Sequence, residues 1–146
     1  MRLVDANVLL YAVNLDAAEH DTSRSWLEER LSGIEAVGFA WVALLAFVRI
    51  STRPGLLTAP LTPIEAFDYV EDWLSQPAST VVHPGRAHVS VLRALLEPLG
   101  TAGNLTTDAH LAALAVEHRA PLVTFDRDFG RFAGLRWLHP ADDLTT

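Results

Sequence analysis

The chain has 146 residues, half of them hydrophobic, and no cysteine. This fits one domain with a sizeable core and excludes disulfides, thiolate metal sites and cysteine nucleophiles. Acidic residues outnumber basic ones 18 to 11, for a formal charge of −7, which argues against a general nucleic-acid coat protein with a basic face.

Taken in chain order, Arg2–Val4 reads as a short buried strand that ends at Asp5. Asp5 and Asn7 interrupt the apolar run of the N-terminus, so no secretory signal is expected there. Asn7 is placed to cap a helix over Val8–Val13. His20–Leu31 carries Trp26, Leu27 and Leu31 at helical spacing and is closed by Gly33. Ile34–Phe39 is a second strand. Trp41–Thr52 is an apolar helix stopped by Pro54 and Gly55. Thr62, Pro63 and Glu65 form a capping box with proline at the first helical position. Its helix runs to Ser75, with Ile64, Phe67, Val70 and Leu74 on one stripe. Thr80–Val82 is a third strand, and Arg86–Leu99 a helix ended by Gly100. The loop Gly100–Thr107 leads into a helix, Asp108–Arg119. Pro121–Thr124 is a fourth strand and Arg136–Leu138 a fifth. No apolar stretch reaches the ~20 residues that span a membrane. With no cysteine to oxidise, the expected location is the cytoplasm.

This alternation predicts one α/β domain over residues 1–146, a three-layer α/β/α sandwich around a mainly parallel sheet of four or five strands. Ligands in such sheets sit at the carboxyl ends of the strands. Asp5 follows the first strand and Asp126 the fourth, and Asp108 begins the helix that feeds the fourth. Each has an ordinary use alone. Asp5 suits a turn, Asp108 a helix dipole, and Asp126 with Asp128 an Asx-turn in TFDRDF. Together they point to one anionic pocket. Carboxylates about 4 Å apart repel by about 4 kcal/mol at an effective dielectric of 20, so a fold that gathers them needs a cation or raised pKa values. Hard oxygen donors select magnesium or manganese. Divalent ions in such a pocket serve phosphodiester hydrolysis, activating water and stabilising the leaving oxygen.

Four segments then resemble a known family. They are VDANVLLYA from Val4, TTDAHLAALA from Thr106, LVTFDRDF from Leu122 and FAGLRW from Phe132. In this order and spacing they resemble PIN domains, specifically VapC-type toxins, over essentially the whole chain. The resemblance implies a PIN-like fold and a magnesium-dependent endoribonuclease, with manganese as an alternative ion. It implies a homodimer inhibited by a cognate VapB-like antitoxin in a type II toxin–antitoxin pair. Asp5, Asp108 and Asp126 would bind metal, with Asp128 as a further acid.

The second motif departs from the family. Trp41–Ile50 aligns with a helix that carries glutamate where this chain has Ala46. By itself alanine there is the best helix former. Against the family it removes a carboxylate and implies impaired activity, whether by deliberate disarming or natural variation. A second class of function follows: a catalytically silent antitoxin-binding module, acting in complex formation and operon autoregulation. A phosphotransfer receiver or an aspartyl phosphatase also places acids at strand ends, but the chain has no lysine to neutralise a phosphoryl group.

Other candidates lie near these motifs. Arg49, one turn after Ala46, is placed to meet RNA phosphate or an acidic antitoxin segment. Asn104 is expected to point toward the acids. The apolar faces around Trp26 and Trp41 exceed what one short helix needs and offer a groove for an antitoxin helix. The six histidines show no i, i+4 zinc pairing.

Overall fold

The structure, a computed structural model, describes residues 1–144. Five strands form one parallel sheet in the order β3-β2-β1-β4-β5. They are β1 Arg2–Val4, β2 Val37–Ala40, β3 Ser79–Val82, β4 Leu122–Val123 and β5 Trp137–Leu138. The helices are α1 Ala6–Val13, α2 His20–Leu31, α3 Trp41–Ser51, α4 Pro63–Ser75, α5 His88–Leu96, α6 Thr106–Glu117 and α7 Pro140–Leu144.

Successive strand residues face opposite sides of the sheet, and this divides the core. Val4, Val37, Phe39 and Val123 pack with Val8, Leu9, Trp26, Phe47 and Trp73 from α1 to α4. Leu3, Ala40, Val82 and Leu122 pack with Leu95 of α5, Leu111 and Leu114 of α6, and Phe129 and Phe132 beyond β4. Strands covered on both faces are apolar throughout, as β2 is. The expected three layers are therefore present. Among the described residues, no helix is long and apolar enough to cross a membrane.

Several boundaries differ from expectation, each for a local reason. The second strand starts at Val37, because Arg2 pairs with Val37 in the ladder. Ile34, expected inside it, is fully exposed. Helix α1 begins at Ala6, capped by Asp5, whose carboxylate accepts the Ala6 N–H at 2.7 Å. Asn7 lies inside that helix and has another use, described below. The capping box of α4 forms as read: Thr62 Oγ1 accepts from Glu65 N at 3.2 Å, and Glu65 Oε1 accepts from Thr62 N at 3.0 Å. Its buried face, however, runs through Ala66, Val70 and Trp73, while Ile64 and Phe67 are exposed. Trp73 selects that face by packing edge-on to Phe47, with ring centroids 4.8 Å apart. Helix α5 gives way at Glu97–Leu99 to a 3-10 turn containing Pro98, and Gly100 closes it at φ +68°. A further 3-10 turn, Gly103–Leu105, interrupts the expected loop, so α6 begins at Thr106 and ends at Glu117.

Helix α7 was not expected. Its Asp143 is fully buried and accepts the Trp26 indole N–H at 2.7 Å and the Arg2 Nε–H at 2.7 Å. Arg30 Nε lies 3.2 Å from the same carboxylate, and an Arg30 Nη donates to the Asp143 carbonyl. Trp26 is thus a core residue with a satisfied N–H, not one wall of an open groove. Trp41 does keep an exposed face.

Candidate active site

The strand order places β2 and β3 on one side of β1, and β4 and β5 on the other. The crevice between β1 and β4 is the switch point at which parallel sheets bind ligands. Val4 pairs with Val123 across it, and Asp5 N donates to the Val123 carbonyl at 3.0 Å. Asp5 therefore leaves β1 at the mouth of that crevice, with Asp126 three residues beyond β4.

Thr124 ties the two chain segments together. Its hydroxyl donates to Asp5 Oδ2 at 2.7 Å and accepts from Asn7 Nδ2 at 3.1 Å and from Asp126 N at 3.0 Å. This uses the one donor and both lone pairs of a hydroxyl, and Thr124 is fully buried. Asn7 completes the link by accepting from Phe125 N at 3.3 Å. The Asp126 carboxylate accepts from Asp128 N at 2.9 Å, capping a 3-10 turn over Arg127–Arg131. Reading the sequence missed Thr124 and mistook the task of Asn7. The available signal was a hydroxyl two residues before Asp126, matched by an amide two residues after Asp5.

The electrostatics of the acids are coupled. Burial pushes the Asp5 carboxyl up to about 6, against the bonds from Thr124 and Ala6 N that favour its charge. Repulsion from Asp108 and Asp126 adds to the rise. Burial also raises Asp108, helped by Asp126 and Asp128 and opposed by Arg131. So Asp5 lies within range of the charge on Asp108 and Asp126, and Asp108 within range of Asp126 and Asp128. They do not yet close around a point: among the described residues, no group of three acidic or histidine side chains is drawn together enough to hold a metal ion. Bare carboxylates repel, and a shared cation reverses that sign. The donor set, all hard oxygen with an excess of negative charge, fits a divalent cation of the magnesium kind.

The remaining candidates stand on other elements. Ala46 is half-buried on α3, which leaves the carboxyl end of β2. Arg49 is exposed in the last turn of the same helix. Asn104 is exposed in the Gly103–Leu105 turn and makes no side-chain hydrogen bond to the acids among the described residues. Two histidines do pair, across helices rather than along one. His88 Nδ1 lies 2.5 Å from Glu117 Oε2, and His88 Nε2 lies 2.8 Å from His110 Nδ1, joining α5 to α6.

The Asp5 shift has a measurable sign. Its folded value of about 6 lies above its ordinary 3.8, so the folded state binds the proton more tightly. That contribution is present below the unfolded value and is lost as pH rises through the folded one. Asp5→Asn is therefore expected to stabilise the metal-free protein at pH 7 by on the order of 1–2 kcal/mol. The gain should shrink toward pH 4. Urea unfolding in chelator at both pH values checks this. A loss of stability at pH 7 would mean that the accepted hydrogen bonds outweigh burial.

A family model described as the PIN domain matches residues 2–135. Ribonuclease VapC37 of Mycobacterium tuberculosis (strain ATCC 25618 / H37Rv) is 54% identical over 140 residues, covering 96% of this chain and 97% of that protein. Ribonuclease VapC33 of the same strain is 40% identical, covering 96% and 98%. Among solved structures, VapBC2 from Rickettsia felis bound to a DNA fragment from its promoter gives a TM-score of 0.69 at 18% identity, covering 94% of this chain and 96% of the other. Mycobacterium tuberculosis VapC20, described as a sarcin–ricin loop cleaving toxin, gives 0.64 at 18%, covering 93% and 99%. Family model, close relatives and fold agree along nearly the whole length, and the chain belongs to the PIN-domain family, within its VapC ribonuclease branch.

Proposed function

We propose that this chain is an endoribonuclease toxin of a type II toxin–antitoxin pair, dependent on a divalent ion and weakened by Ala46. The observation that carries this reading is the gathering of Asp5, Asp108 and Asp126 charge at the β1/β4 crevice. Asp5, Asp108 and Asp126 would hold the ion, magnesium or manganese, with Asp128 at the rim. A bound divalent ion supplies Lewis acidity toward phosphate and water.

The protein's own work is orientation. Thr124 and Ala6 N fix both oxygens of Asp5, so the carboxylate meets its ligand in one rotamer. With its value near 6, Asp5 is partly protonated in mildly acidic solution and gives up that proton when a cation binds. Cation affinity should therefore fall as pH drops below about 6.

A VapB-like antitoxin is the expected partner, and a homodimer the expected assembly. VapC37 and VapC33 are named ribonucleases, which favours the enzyme over the silent binding module. Ala46 favours the module. Chelation tests the enzyme reading. RNA cleavage should stop in EDTA, return with magnesium or manganese, and be lost in Asp126→Asn. Cleavage that survives full chelation would defeat the metal-dependent reading.

A further inference from the structure

A polyanionic substrate needs cations beside the reacting phosphate, and in this chain, at −7, the position of each arginine relative to the acids decides which can serve. Arg2, Arg24, Arg30, Arg93 and Arg131 are each engaged with a carboxylate. Arg127 is exposed and has no side-chain partner among the described residues. It sits beside Asp126 in sequence, and with Arg131 it lines a cleft of about 460 Å³ whose other walls are Leu99, Leu105 and Asp128. The Arg131 guanidinium also acts on the Asp108 carboxyl, so the cleft opens next to the acidic crevice. Leu99 and Leu105 come from the 3-10 turns between α5 and α6, and both are half-buried.

The lining is mixed in a particular way. A site for phosphate alone has no use for two leucines, and a groove for an apolar peptide has no use for two arginines. A nucleotide presents both faces, a flat apolar base and an anionic phosphate. Arginine serves both, because its planar guanidinium stacks on bases and grips phosphate. Asp128 is the one anion in the lining. Its carboxylate lies 3.2 Å from Arg131 Nη2, an exposed pair of the kind that gives way readily. A phosphate can take its place on Arg131.

We propose that this cleft is a nucleotide subsite for single-stranded RNA, with one base against Leu99 and Leu105 and its phosphate on Arg127 and Arg131. This inference rests on the ribonuclease reading above and adds which part of the strand the protein grips. A base held here leaves its chain running past Asp126 and Asp108, where the neighbouring phosphate would be cut.

The test uses the full chain and a short fluorescein-labelled single-stranded RNA in EDTA, read by fluorescence anisotropy. Arg127→Ala and Leu105→Ser are each expected to weaken binding roughly 5- to 30-fold. Arg127→Ala should also lower the salt slope by about 1. Leu105→Ser should lose its effect when the RNA is abasic, while Arg127→Ala keeps it. Unchanged binding in both variants would overturn the proposal. So would an abasic RNA that binds as tightly as the intact one, an oligoglutamate peptide with the same variant dependence, or no RNA binding at all. Cleft-dependent binding without cleavage after Ala46→Glu would remove the nuclease reading and leave the subsite standing. Cleavage with binding indifferent to the cleft variants would do the reverse.

Discussion

Ala46→Glu is expected to raise RNA cleavage in magnesium at least ~100-fold over the parent chain. Even groups that merely orient a metal ligand are worth about 10–100-fold, and a direct carboxylate ligand is worth no less. The existing acids share one neighbourhood without closing around a point, and another carboxylate would add charge for a cation to balance. Two opposing effects follow. In chelator the variant should be less stable than the parent, since a further anion joins Asp5 and Asp108, both already held above their ordinary range. In magnesium it should recover more of that stability than the parent does, because binding to the folded state alone stabilises in proportion to ln(1 + [L]/Kd). Thermal melts with and without magnesium, run beside the cleavage assay, separate a repaired metal site from a merely altered helix. A variant that shows no added magnesium response and no cleavage would assign Ala46 to packing and favour the silent antitoxin-binding module.

What could be read from the letters was what local physics decides. The Thr62–Glu65 capping box needs only residues three apart, and it formed as read. The strand-end rule needs only the alternation of strands and helices, and it led to Asp5 and Asp126. What escaped was set by residues far away in the chain. Asn7 looks like a helix cap, but Thr124 and Phe125 claim its side chain, and Asp5 takes the cap instead. Trp26 looks like a spare apolar face until Asp143, 117 residues on, accepts its indole N–H. His88 and His110 meet only because α5 packs on α6. The β-period reading put Ile34 in a strand because apolar alternation carries no information on where a ladder begins. In each case the missing fact was a tertiary partner.

Asp143→Ala is expected to destabilise the protein by about 3–5 kcal/mol, the range for stripping one partner from a buried ion pair. The carboxylate is fully buried and serves Trp26, Arg2 and Arg30 at once. Removing it leaves an indole N–H without its acceptor and two guanidinium groups facing a void. Asp143→Asn keeps an acceptor of similar shape but drops the charge, so it should be milder than alanine. A loss of this size would lower the melting temperature by roughly 6–20 °C in a domain near 150 residues. The effect should also reach the crevice. Arg2 begins the three-residue strand β1 and Asp5 directly follows its last residue, so an unanchored start of that strand loosens the carboxylate three residues on. In an Ala46→Glu background, Asp143→Ala should cut RNA poorly at 37 °C and recover on cooling, whereas Asp126→Asn should stay inactive at every temperature. If Asp143→Ala changes stability by less than about 1 kcal/mol, the C-terminal helix is not what holds β1 in place. The rigidity of Asp5 would then come from Thr124 alone.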